Sequence, residues 1–272
     1  MSFSQMLISY VPPLVLGSII VVLAIVLSVG GLLVFRRFIS NRDLKIHNDV
    51  AGFMFGTLGV IYAVLLAFMV IVVWETFDSA SSNVEKEASR LADLYRDSEA
   101  FQEPDKKQVW NLLSEYGKAI VVDEWKTASI GEKSAKTQKA QDELCSFYET
   151  YTPKTKTEEV FFEESVRKLN ELCEFRRLRL MESRNGIDSI LWFVLIFCGV
   201  MTIVFTFFFG MENIRNQMIM TSILAVTIAL ILFTILEFDY PFTGELSVSS
   251  DPFKRLRMFN GVNWEQLEEL NK

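Results

Sequence analysis

Four acids stand just beyond the ends of two apolar runs: Glu75 and Asp78 after one, Glu237 and Asp239 after the other. In a ring of subunits, carboxylates so placed form a mouth that attracts cations. The same acids could instead pair with Arg176, Arg177, Arg179 or Arg184 and be solvated at a membrane surface. Within the run before Glu75, Ile61, Leu65 and Phe68 recur near helical spacing. In a pore they would make an apolar neck that gates by expelling water; otherwise they face lipid. Gly52, Gly56, Gly59, Ala63 and Ala67 trace a second line through that run. Small residues let helices approach closely where lipid supplies no hydrophobic drive for contact. The ladder therefore packs either on the first or third span of its own chain, or on another subunit.

These residues need a scaffold, and the hydropathy pattern supplies one. Half of the 272 residues are hydrophobic, and four windows, about 13–35, 53–74, 190–210 and 217–236, carry no interior charge. A bilayer crossing needs ~20 such residues. One window could be a core helix; four make a membrane protein. The first is expected to be retained, because the N-terminal arm has no basic start and the run exceeds a leader's usual ~7–15 apolar residues. Pro12 and Pro13 suit a helix start.

The charge lies between the second and third windows. Residues 78–188 hold 23 of the 34 acids and 18 of the 27 bases, so this insert is soluble. Val84, Ala88, Leu91 and Leu94 recur at helical spacing; so do Val109, Leu112, Leu113, Tyr116, Ala119 and Ile120, and Phe161, Val166, Leu169, Leu172, Cys173 and Leu180. A weaker helix is expected over 136–150. Pro104–Asp105 marks one start, Thr155 with Glu158 reads as a capping box, and Asn185–Gly186 as a stop. No Gly or Pro interrupts the chain between Trp74 and Phe101, so the second span should continue outward as a stalk helix. The expected fold is an all-α membrane protein with four transmembrane helices and a helical stalk between helices 2 and 3. Its divisions are 1–77, 78–188, 189–237 and a tail, 238–272, that docks on the stalk. In that tail Pro241 and Gly244 turn the chain, Tyr240 and Phe242 sit at interface depth, and residues 245–250 form a short strand.

Catalytic patterns are missing. There is no Walker loop, GxSxG, HExxH or calcium-loop sequence, and the single histidine, His47, precludes paired-histidine metal chemistry. His47 reads as a loop residue beside Asn48 and Asp49, either of which can cap the second span. The spans lack mid-depth ionisable groups, which argues against proton-coupled transport. No enzyme activity, cofactor or metal is expected. An isoelectric point near 5.0 without a basic block excludes a nucleic-acid partner. Cys145 and Cys173 in the stalk and Cys198 in the third span read as buried free thiols; in an oxidising compartment the first two could pair.

Four stretches carry a family resemblance: HNDVAGFMFGTLGVIYAVLLAFMVIVVWE (47–75), EKEASRLADLYR (85–96), RRLRL (176–180) and FDYPFTGEL (238–246). Together with the two-plus-two layout they resemble the bestrophin-like family of bacterial membrane proteins. The resemblance implies a homo-oligomer, a pentamer in bestrophins, around an ion pore lined by the second span. It also implies a helical domain in the cytoplasm. The charge pattern points the other way. Arg36, Arg37, Arg42 and Lys45 crowd the short first loop, and such loops stay inside, which puts the stalk outside. The expected function is an oligomeric ion channel of the bacterial inner membrane, surrounded by lipid; the alternative is a non-conducting scaffold or sensor whose stalk binds a partner.

Overall fold

The structure is a computed structural model that describes residues 3–39 and 44–269; Arg42 lies outside the described residues. The helices are α1 (Phe3–Tyr10), α2 (Pro13–Phe38), α3 (Asn48–Asp97), α4 (Asp105–Ala119), α5 (Trp125–Ala128), α6 (Ala135–Thr150), α7 (Lys156–Glu182), α8 (Ser189–Phe205), α9 (Ile214–Phe238), α10 (Asp251–Lys254) and α11 (Trp264–Glu269). Helices α2, α3, α8 (with the 3-10 turn that extends it to Phe208) and α9 are long and apolar enough to cross a membrane. No strand occurs among the described residues, which makes the protein an all-α membrane protein with four candidate spans. It divides into two compact units, one of Met6–Glu75 with Gly186–Asp239, the other of Met1–Gln5, Thr76–Asn185 and the chain from Tyr240 onward.

In the membrane unit α2 packs along α9, with Pro13 in the first turn of α2, where its missing N–H is harmless. The charged end of α2 is tied down. Arg36 donates to Gln217 Oε1 (3.1 Å) and to the Phe209 carbonyl (2.9 Å), and Gln217 donates to the Thr206 and Phe209 carbonyls. Asn48 does not cap α3. Its side chain bonds Gly210 both ways, donating to the carbonyl (3.0 Å) and accepting the N–H (2.8 Å). Gly210 is required there, since a Cβ would meet the Lys45 nitrogen at 2.4 Å. His47 is exposed.

The stalk unit has its own core. Val84, Ala88, Leu91 and Leu94 of α3 are buried with Val109, Leu113 and Tyr116 of α4 and with Ile120 just after it. On α7, Leu169, Leu172 and Leu180 are buried, but Phe161 points out and Phe162 packs inward in its place. Helix α7 starts as a modified capping box. The Thr155 side chain accepts the Glu158 N–H (3.1 Å), while Glu158 reaches past Thr155 to the N–H of Lys154 (2.6 Å). Between α4 and α5 the helix widens into a π turn, Ile120–Glu124. Ile120, Val121, Val122 and Glu124 are all buried there, more neighbouring positions than a regular helix presents to one side.

Residues 240–259 fold into the stalk unit. Phe242 and Phe253 flank Trp125, whose indole N–H donates to the Val248 carbonyl (3.3 Å), and Thr243 donates to the Ser129 carbonyl (2.8 Å). Two expectations fall. Tyr240 and Phe242 are buried rather than presented to an interface. Residues 245–250 form a turn followed by irregular chain and not a strand, and no strand occurs among the described residues for them to pair with. Gly244 takes a φ of +85° and the Val248 N–H closes back on the Pro241 carbonyl (2.8 Å).

Candidate functional site

Helix α3 shows three faces within the membrane unit. One stripe, Tyr62, Leu66, Met69 and Val73, is buried against Leu195, Ile228 and Ile235. Tyr62 anchors it by donating to the Leu195 carbonyl (3.0 Å). Gly199 makes room, because a Cβ there would meet the Tyr62 hydroxyl at 2.7 Å. The small-residue ladder lies about a quarter turn to one side of this stripe, and the neck residues about a quarter turn to the other.

The chain leaves the ladder open. Gly52, Gly56, Ala63 and Ala67 are exposed and Gly59 half-buried. A Cβ added at Gly56 or Gly59 meets nothing within 4 Å, and one at Gly52 only the Phe209 ring at 4.0 Å. Packing on the first or third span of the same chain therefore does not account for the ladder. On the other side Ile61 and Phe68 are exposed, at 67% and 63%, and Leu65 is half-buried. Ile61 and Leu65 line an apolar groove of about 610 Å³ with Thr57, Phe197, Cys198 and Met201; Phe68 is not part of its lining.

The four acids separate into two pairs. Glu75 and Asp78 are exposed on α3. Glu237 and Asp239 are buried, at 3% each. Asp239 accepts the Ile187 N–H (2.6 Å) and the Trp192 indole N–H (3.2 Å), so it fixes the entry to α8.

Three of the four arginines nominated as partners of these acids, Arg176, Arg179 and Arg184, are engaged elsewhere. Arg179, fully buried, donates through Nε to Glu87 Oε2 (2.6 Å) and through Nη2 to Glu124 Oε2 (2.8 Å). It also lies over the Trp125 ring, 5.3 Å from its centroid. Arg176 donates to both Glu124 oxygens (3.0 and 2.6 Å), to Gln138 (3.0 Å) and to Gln141. Tyr116 donates to Glu87 Oε1 (3.1 Å). Arg184 donates to the Gly131 carbonyl (2.8 Å), and Arg177 is exposed. Burial alone would raise Glu124, but hydrogen bonds and charge from Arg176 and Arg179 outweigh it and hold the carboxyl below its usual pKa. Burial, then the Glu87 charge, pushes the Tyr116 phenol well up.

This network was missed in sequence reasoning. Its signal was present, since Glu87, Glu124, Arg176 and Arg179 are charges adjacent to the apolar stripes of their helices. The resemblance stretches EKEASRLADLYR and RRLRL contain three of the four.

Residues 22–253 match the family model of the Bestrophin-like domain. The chain belongs to the Bestrophin-like family. Its fold is that of a crystallised membrane protein variant, with a TM-score of 0.61 at 12% identity over 92% of this chain and 98% of the other. It is equally similar to a crystallised point mutant of a bacterial bestrophin homologue from Klebsiella pneumoniae, with a TM-score of 0.59 at 15% identity over 94% and 98%. A comparison with curated protein sequences finds no match.

Proposed function

We propose that this Bestrophin-like chain is one subunit of a homo-oligomeric ion channel of the bacterial inner membrane, with α3 beside the conduction path. The observation that carries the reading is the open ladder of α3. A 50-residue helix leaves Gly52, Gly56, Ala63 and Ala67 without a partner in its own chain. In lipid such a surface gains from close contact with another helix, and a second copy supplies it. The ladder then forms the subunit seam, and a pentamer is the assembly that the family suggests. The opposite flank, with Ile61, Leu65 and Phe68, becomes the apolar neck, where an ion loses hydration it cannot recover from side chains. Glu75 and Asp78, the two exposed acids, make the cation-attracting mouth; Glu237 and Asp239 are buried, and Asp239 serves as an internal acceptor.

Replacing Ile61, Leu65 and Phe68 together with Ala is expected to wet the neck and raise leak conductance in liposomes. If the intact triple-Ala oligomer passes no more current than empty liposomes, the chain is a scaffold and the channel reading is lost. Orientation follows from labelling in intact cells. The excess of basic residues in the first loop puts the stalk outside, so a cysteine at exposed Lys139 should react with impermeant reagents and one at Glu212 should resist. The reverse pattern puts the stalk in the cytoplasm, as in bestrophins.

A further inference from the structure

Two thiols face each other in the stalk unit. Cys145 of α6 and Cys173 of α7 are both free and half-buried, and they lie close enough for each thiol to shift the titration of the other. Gln141, one turn before Cys145, donates its amide to Cys173 Sγ at 2.7 Å. Cys173 also lines a cavity of about 420 Å³ whose wall carries Lys133, Arg176, Arg177 and Arg184. The cavity gives a small oxidant a route to this sulfur, and its cationic wall favours a thiolate. Cys145 is not part of that lining. The pair is therefore asymmetric: one sulfur with an approach and a positive surrounding, the other behind it.

We propose that Cys173 and Cys145 form a reversible thiol–disulfide switch, in which hydrogen peroxide entering the basic cavity oxidises Cys173 and Cys145 then resolves it. In the first step Cys173 Sγ attacks the peroxide O–O bond. That bond breaks, the sulfur becomes a sulfenic acid, and the leaving hydroxide takes a proton to become water. In the second step Cys145 gives up its proton and attacks the sulfenic sulfur. The S–O bond breaks, hydroxide leaves with that proton as water, and an S–S bond joins α6 to α7. Two thiols are oxidised and one peroxide is reduced to two waters. A dithiol reverses the change by exchange.

The titration of the pair fits these roles. The Cys145 contact, then Gln141 and Arg176, hold Cys173 down at about 7 against burial and the Glu87 charge. The Cys173 contact, burial, and the charges of Asp142 and Glu149 push Cys145 well up, so it keeps its proton until it attacks. Gln141 also accepts from Arg176. Oxidation takes the Cys173 thiolate away from the Gln141 amide, and so acts on the buried Arg176–Glu124 pair.

The test uses the full-length protein in detergent, treated with hydrogen peroxide and then alkylated. The expected result is the loss of two hydrogens per chain by intact mass, with a 145–173 cross-link in the peptide map that a dithiol removes. Cys145→Ser should trap a sulfenic acid on Cys173 that a dimedone probe labels, and Cys173→Ser should leave Cys145 unreacted. Both thiols remaining fully alkylatable in the wild-type protein under excess peroxide would overturn the proposal. So would a first sulfenic acid on Cys145. The wild-type mass reads the outcome even if a variant fails to fold.

Discussion

The two units of this chain treat polar and small residues in opposite ways. The membrane unit leaves apolar side chains and glycines of α3 facing outward and ties its polar groups at helix ends, as in Arg36 with Gln217 and Asn48 with Gly210. The stalk unit turns apolar residues inward and buries Glu87, Glu124, Arg176 and Arg179 among them. Outward apolar surface costs little in lipid and much in water. A buried charge is expensive in either unless its partner is in place. The comparison teaches where each unit is fragile: the stalk at its ion pairs, the membrane unit at its closest backbone approaches.

The largest expected effect is therefore in the stalk. Arg179→Leu strands the Glu87 charge in the core with only the Tyr116 hydroxyl left to it, while Glu124 keeps Arg176, and should cost about 3–5 kcal/mol, seen as a lowered thermal midpoint by circular dichroism of the detergent-solubilised protein. Arg177→Leu, on the exposed side of the same helix, should stay within about 0.5 kcal/mol. Equal losses from the two would break the contrast.

A middle-sized effect belongs to the glycines of the membrane unit. Gly199→Leu drives a side chain into Tyr62 and should cost about 1–3 kcal/mol of subunit stability. Gly56→Leu meets open space in the chain, so subunit stability should hold while oligomer mass in mild detergent falls. An unchanged oligomer mass for Gly56→Leu would count against the seam.

The smallest effect is acid sensitivity. Glu124 has its pKa depressed below 4.5 in the folded protein. It therefore contributes stability that is complete above 4.5 and lost as pH falls through the lowered folded value. Stalk unfolding, followed by tryptophan fluorescence, should begin only below that range, and Glu124→Gln should flatten its dependence on pH. A variant as acid-sensitive as wild type would assign the effect to other carboxylates.

How much could be read without coordinates differs by unit as well. The four spans, the length of α3 and the start of α7 were legible, because run length, helical period and a Thr–Glu pair at short spacing are local properties. On α7, Phe161 was chosen for the core where Phe162 is the one packed inward. Adjacent aromatics at a helix edge differ in orientation by about 100°, and a short stripe does not resolve which one points in.

The amino-acid sequence by itself determined that this is an all-α membrane protein with two pairs of spans around a charged helical insert. Apolar length against bilayer thickness settles that without any tertiary contact. Only the tertiary structure decided which charges meet. Arg179 and Glu87 are 92 residues apart, and the π turn that brings Glu124 to the same guanidinium breaks the period on which sequence reading relies. It also decided that the ladder of α3 stays open while Tyr62, Leu66, Met69 and Val73 are buried. In the membrane part of α3 every face is apolar or small, so hydropathy cannot rank them. Which face is buried depends on the shapes of the helices against it, here a gap at Gly199 that admits the Tyr62 hydroxyl.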